Sequence, residues 1–228
     1  MNQLAHIKQS VKQEYRSFLD INFKALEIRA PLFYNWPFSL RFDLQTGETG
    51  TDEYFIEVAR RATTLFEAVF SNDEALFLVV IDYQYKRRKV RSSNYIFKQI
   101  QDFTKSEANY LNPILLYKDD GQYGYRRIAV IKLAAERLNY QNILMAIANT
   151  DFPPRQPRLD RNSALKSKEV YFLNIDRKLI FHMYDDRGLD IIAADIETLR
   201  PIYKKYNGWI FDYDRKEIDG KFKQQDAV

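Results

Sequence analysis

The densest group of reactive side chains is the acidic set Asp185, Asp186, Asp190 and Asp195, gathered around the phrase Tyr-Asp-Asp-Arg-Gly at 184–188. Carboxylates this close bind magnesium or calcium through oxygen, and like charges held together raise one another's pKa toward acid–base work. The enzymatic reading is a metal-assisted hydrolase using Asp185, Asp186 and Asp190. The structural reading is a turn whose aspartates accept hydrogen bonds from nearby backbone amides. Alternation along a strand sends adjacent residues to opposite faces, so Asp185 and Asp186 need not converge. The turn reading is preferred, with Arg187 pairing with either neighbour. Asp185, Asp186 and Arg187 stay as candidate binding residues, and no catalytic or metal-ligating residue is assigned.

Arg41 and Asp43 lie two apart, on one face of a predicted strand, and are a second candidate binding pair. Same-face or cross-strand ion pairing explains them without a ligand, and an anion contact is the alternative. His182 sits between Phe181 and Met183 in another predicted strand. A general base needs an orienting acid and a nucleophile within reach, and the sequence shows neither, so a packed, hydrogen-bonded histidine is expected. His6 falls on the exposed side of the first predicted helix.

The third chemical feature is basic. Residues 86–91 contribute Lys86, Arg87, Arg88, Lys89 and Arg91 with no acid, flanked by Tyr83, Tyr85 and Tyr95. Residues 151–168 contribute Arg155, Arg158, Arg161, Lys166 and Lys168 against Asp151 and Asp160. Outside these two segments the chain holds 25 basic and 29 acidic residues, so its net +4 resides in two short stretches. Cations interleaved with aromatics can hold phosphates and stack bases, which makes nucleic acid or another polyanion an alternative partner. Two solvated loops are the plainer reading.

Composition closes other routes. There is no cysteine, which excludes disulfides, thiolate zinc sites, iron–sulfur clusters and a cysteine nucleophile. Two histidines and seven glycines leave little for a histidine metal site or a glycine-rich phosphate loop. No cofactor is expected. The 228 residues, 46% hydrophobic with 16 Tyr and 16 Phe, suffice for one sizeable core. The N-terminal stretch lacks a signal-peptide core and no run is long enough for a membrane span, so a cytoplasmic, non-membrane protein is expected.

The elements that would position these groups follow from periodicity. Leu4, Ile7, Val11, Tyr15 and Phe18 predict a helix over 2–19. Residues 38–44 alternate strictly, predicting a strand with one wet or polar face. Thr51 caps a helix over 52–70, and 75–83 is apolar on both faces, as in a doubly covered strand. A short helix is predicted at 94–103, strands at 113–118 and 124–133, and a helix at 139–149 opened by Asn139. The proline-rich stretch 151–168 reads as a loop and the one candidate internal boundary. Residues 169–175, 178–184 and 189–193 predict an antiparallel meander, with Gly188 free to turn left-handed. A helix over 196–206 follows, after which Trp209, Ile210 and Phe211 fold back onto the sheet.

The segments YNWPFSLRFDL (34–44), LFEAVFSNDEALFLV (65–79) and 170–215, with its YDDRG turn, resemble an uncharacterised bacterial family, the domain-of-unknown-function family thirty-eight eighty-five. The resemblance implies a bacterial cytoplasmic protein of one α+β domain and carries over no site residue. The meander with a final helix is also similar in architecture to several bacterial immunity proteins, an analogy of fold alone. The sequence therefore predicts a single α+β domain over 1–228, mostly antiparallel. Its expected role is non-enzymatic binding of another protein, in the manner of a toxin-immunity protein.

Overall fold

The run Ala75–Tyr85, here β2, is the centre of the molecule. Its residues alternate between two cores: Leu76, Leu78 and Val80 point into one, Phe77, Val79 and Ile81 into the other. Both faces are buried, so polar alternation would cost desolvation, and the strand carries none over these positions. The computed structural model describes residues 2–85, 95–119, 122–159 and 168–223. Within it β2 pairs with β5 (Gln122–Ala134) on one side and β6 (Lys168–Asn174) on the other. Five more strands complete one antiparallel sheet: β1 (Ser39–Asp43), β3 (Asn109–Tyr110), β4 (Ile114–Asp119), β7 (Leu179–Met183) and β8 (Gly188–Ala193) join these in the order β1-β8-β7-β6-β2-β5-β3, with β4 also on β5.

One face of the sheet is covered by α1 (Asn2–Phe23) and the chain that follows it. Tyr15, Phe18, Leu19, Phe23, Leu32 and Trp36 pack there against Phe77, Val79, Ile180 and Ile192. The other face carries α2 (Asp52–Val69), α3 (Tyr140–Ala148), α4 (Ile196–Lys205) and α5 (Arg215–Lys223). Side-chain caps begin three of these helices. Thr51 accepts from the Tyr54 amide, Asn139 from that of Asn142 and Asp195 from that of Thr198, each satisfying a donor the helix cannot. Glycine at 208 and the turn Asn207–Trp209 stop α4, and Phe211 returns to the sheet, donating its amide to Arg41 O at 3.0 Å.

The structure refines three expectations and adds one element. Of the two alternatives for the second face of β1, it is polar and covered rather than wet: residues 31–36 fold over it, with Ser39 Oγ donating to Phe33 O and Trp36 Nε1 to Ala193 O at 2.6 Å. The helix expected at 94–103 is a single 3₁₀ turn, Ile96–Gln99. Ile100 then leaves the turn to form a β-bridge with Leu138, which removes it from a helical ladder. In the proline-rich stretch, residues 151–159 pack on the core: Phe152 stands edge-on to Phe55 at 4.8 Å, and Leu159 and Arg158 are buried. The remainder, 160–167, and the basic run 86–91 lie outside the described residues. Finally, α5 has no sequence expectation behind it, because only Ile218 and Phe222 mark its buried stripe.

The two edges of the sheet differ. The β1 edge is sealed by the Phe42–Ile210 bridge and the Phe211 amide. On the far side β4 pairs only with β5 among the described residues, and its outer backbone faces away from the sheet.

Candidate functional site

The candidate residues gather at the corner where the β7–β8 turn meets β1. β1 and β8 are antiparallel neighbours, and their register sets Arg41 opposite Asp190. Asp190 is fully buried, so its charge needs a partner. Arg41 supplies a two-toothed one: Nε donates to Oδ1 at 2.8 Å and Nη2 to Oδ2 at 3.3 Å. The Phe33 amide donates to Oδ2 as well, at 3.1 Å, which ties the covering segment to the pair. Nη1 of Arg41 lies 3.5 Å from Asp214, which also accepts from the Tyr34 hydroxyl at 3.0 Å. Rings of Tyr34, Phe33 and Tyr184 surround the guanidinium at 4.6, 5.2 and 5.6 Å. Burial works against the Arg41 charge, and Asp190 outweighs it, leaving the pKa above the ordinary arginine value. Burial holds the Asp190 carboxyl above the usual aspartate range, with Arg41 pulling it back down.

Asp43 takes no part in this pair. Its Oδ1 accepts from the Gln45 amide at 2.9 Å, a short turn at the end of the strand. Arg41 thus takes the cross-strand alternative, pairing with Asp190 and not with its same-face neighbour Asp43.

The turn itself is built from its own aspartates. Asp185 Oδ1 accepts from the Arg187 amide at 2.9 Å, and Oδ2 pairs with the Arg187 guanidinium, Nε at 3.0 Å. Asp186 Oδ2 accepts from the buried Tyr54 hydroxyl at 2.6 Å, and Gln45 Nε2 donates to that hydroxyl at 3.3 Å. Tyr54 sits in the first turns of α2, aimed by the Thr51 cap. Asp185 and Asp186 do converge, because both lie in the turn rather than in a strand. One oxygen of each, with one of the exposed Asp151 after α3, fall within 4.8 Å of one another. Three carboxylates at that spacing have the donor set of a hard divalent cation. Here Arg187 and Tyr54 already meet two of them, and a cation would have to displace the guanidinium from Asp185. Burial raises the Asp186 pKa and the Tyr54 bond opposes it.

Gly188 follows. It does not adopt a left-handed conformation; its need for glycine is one of space. A Cβ there would lie 2.6 Å from Phe42 O and clash with the Tyr184 hydroxyl. Gly188→Ala is therefore expected to cost about 1–3 kcal/mol as β1 and the Tyr184 ring are forced apart. Urea unfolding of the two proteins measures it, and an unchanged midpoint would contradict the close approach.

His182 is fully buried beside this corner, opposite Asp190 in the β7–β8 register. Its Nδ1 is 2.9 Å from Val170 O and its ring stacks on Tyr171 at 4.0 Å. Among the basic candidates, Arg155 donates to Asp52 and Gly50 O and covers the Phe55 ring, and Arg158 donates to Thr150 O at 2.6 Å. Both are engaged inside the fold. Lys86, Arg87, Arg88, Lys89 and Arg91 lie outside the described residues, as does the His6 side chain.

An antiparallel sheet with helices on both faces, closed at one corner by an arginine between two aspartates, places the molecule in the α+β class. Residues 15–214 match the model of the family described as "Domain of unknown function (DUF3885)", and the chain belongs to that family. It is 26% identical over 213 residues to the uncharacterised protein YnaE of Bacillus subtilis (strain 168), a match covering 86% of this chain and 96% of that protein. No solved structure matches. Two of the three segments that carry the sequence resemblance, 34–44 and 170–215, meet at the corner just described.

Proposed function

We propose that this protein binds another protein along the open edge of its sheet, with β4 as the contact strand. One observation carries the reading. Ile114, Leu115 and Leu116 are consecutive on that edge and 43%, 51% and 48% exposed, beside Tyr110 at 40%. An edge strand presents unpaired backbone donors and acceptors, and soluble proteins ordinarily blunt it with charge, proline or a cover. The β1 edge of this same sheet is covered by Ile210 and Phe211. The β4 edge instead carries apolar side chains on three successive residues, so both of its faces offer a partner something to bury. Such an edge suits an extended segment added as a further strand, whose backbone bonds give affinity and whose side chains give selectivity.

The corner fits a supporting role. Its charged groups satisfy one another, which makes it a clamp between β1, the covering segment and the C-terminal chain. A toxin-immunity-like activity, in which the bound protein is held inactive, is the finer form of the proposal. Engagement of Arg155 and Arg158 within the fold reduces the charge that 151–168 could offer a polyanion.

The test is affinity capture with the wild type and Leu115→Lys as bait in the native host. A stoichiometric partner is expected on the wild type, with binding weakened on the order of tenfold or more by the lysine, since a charge would be buried at the centre of the contact. A partner retained equally by both baits, or self-association of the purified wild type through this edge, would overturn the assignment.

A further inference from the structure

The opposite end of the α1 face holds a second buried arginine, and its surroundings differ from those of Arg41 in one respect that points to a ligand. Arg126 lies on β5 between Tyr83 of β2 and Ile114 of β4. Its side chain is 3% exposed. Nη1 donates to Glu27 Oε1 at 2.6 Å, and Glu27, 61% exposed, stands at the solvent. Nε and Nη2 are buried and have no hydrogen-bond partner among the described residues. These two nitrogens form the side-on fork of a guanidinium, the pair that takes both oxygens of a carboxylate. The same pair on Arg41 is filled by Asp190 in this molecule. Arg126 has the fork, and no acid of the described residues fills it.

The neighbouring groups are already committed. Tyr83 and Tyr171 both donate to Glu169 Oε2, at 3.3 and 2.6 Å, so that carboxylate is held by phenols. Burial pushes the Tyr83 hydroxyl up to about 12, Glu169 adds to the rise and Arg126 opposes it, which places the guanidinium charge within reach of this cluster. Tyr15 of α1 is raised by burial and lowered by the same Arg126. The cluster thus spans α1, β2, β5 and β6, all of them regular elements. A buried charged donor pair with no partner among the described residues is costly.

We propose that the Arg126 fork binds the carboxylate of a small monoanionic ligand beneath α1, with Glu27 at its mouth. The charge argument selects the class. Glu27 pairs with the guanidinium and Glu169 stands in the same cluster around Tyr83, so a dianionic phosphate meets net repulsion that a monocarboxylate meets less. The planar carboxylate also matches the two parallel N–H bonds, as Asp190 does at Arg41. This site adjoins β4 through the Ile114–Arg126 pairing but uses the buried guanidinium rather than the exposed edge, and it does not depend on the protein-binding reading.

The experiment titrates the purified full chain with acetate, butyrate and benzoate, and with inorganic phosphate in parallel. The side-chain Nε–H resonance of Arg126 is followed by NMR, assigned by its loss in Arg126→Gln. A saturable downfield shift of that resonance with at least one of the carboxylates is expected, with little response to phosphate. Arg126→Lys keeps the charge and loses the fork, and is expected to weaken binding on the order of tenfold or more. No saturable shift in the wild type with any of the three carboxylates overturns the proposal, and that arm needs no variant to fold. Equal carboxylate affinity in a folded Arg126→Lys also overturns it, as does an Arg126-dependent response to phosphate alone.

Discussion

Arg41→Ala is expected to destabilise the protein by about 3–5 kcal/mol, because it leaves the fully buried Asp190 without its cation. The loss is larger than that of a surface ion pair because Asp190 cannot turn to water. Its remaining donors from the covering segment, the backbone amides of Leu32 and Phe33, do not balance a full charge. The substitution also empties the space among Tyr34, Phe33 and Tyr184, and releases Asp214 from its contact with Nη1. Replacing both partners is the informative control. Arg41→Met with Asp190→Leu removes the buried charge along with its counter-charge and is expected to recover most of the stability, as apolar replacements of buried pairs do. Guanidinium unfolding of the two single variants and the double variant closes the cycle. A cost below about 1 kcal/mol for Arg41→Ala would mean that the pair behaves as an exposed one, and the clamp role assigned to the corner would fail with it.

How much of this was legible beforehand depends on the separation of the interacting residues. The alternation of 38–44, the doubly apolar 75–83, the capped helices at 52, 140 and 196 and the terminal meander are all local patterns, and each appears in the fold within a few residues of its expected place. What stayed hidden is pairing at a distance. Arg41 and Asp190 are 149 residues apart, and Tyr54 and Asp186 are 132 apart. Only the β1–β8 register and the placement of α2 over the turn bring them together. The nearer partner, Asp43, was visible in the sequence and is the wrong one, because a strand's same-face neighbour competes with a residue directly across the ladder. A polar alternation flanking an apolar one, Ser39-Leu40-Arg41-Phe42-Asp43, signals either water or a second buried layer. The deciding element was the 31–36 segment, whose Trp36 and Leu32 are buried on that face. Arg126 carried no signal at all: in sequence it is one of two adjacent arginines in a strand, and only β5's position under α1 buries it.

Tyr54→Phe is expected to cost about 2 kcal/mol near neutral pH, the value of a buried hydrogen bond to a charged acceptor. The ring stays packed in the α2 core, so the change removes one oxygen and little else. Asp186 sets the pH dependence, and its two influences have opposite signs. Burial raises its pKa above the ordinary aspartate value, the Tyr54 bond lowers it, and the Asp185 charge raises it. Because the folded pKa is raised overall, the native protein holds this proton more tightly than the unfolded chain. Asp186 therefore gains stability for the fold as pH falls through its native pKa and withdraws it as pH rises. The Tyr54 bond runs the other way: it favours the ionised carboxylate, so it contributes most above that pKa and fades as the group protonates. Removing it should raise the Asp186 pKa further and make Tyr54→Phe lose the most ground at neutral pH. Urea unfolding of both proteins across the acidic range down from pH 7 should show the gap narrowing on acidification. A gap that stays constant with pH would place the loss in packing rather than in the Asp186 charge. In that case Asp186 would not be the buried carboxylate on which the geometry of this turn depends.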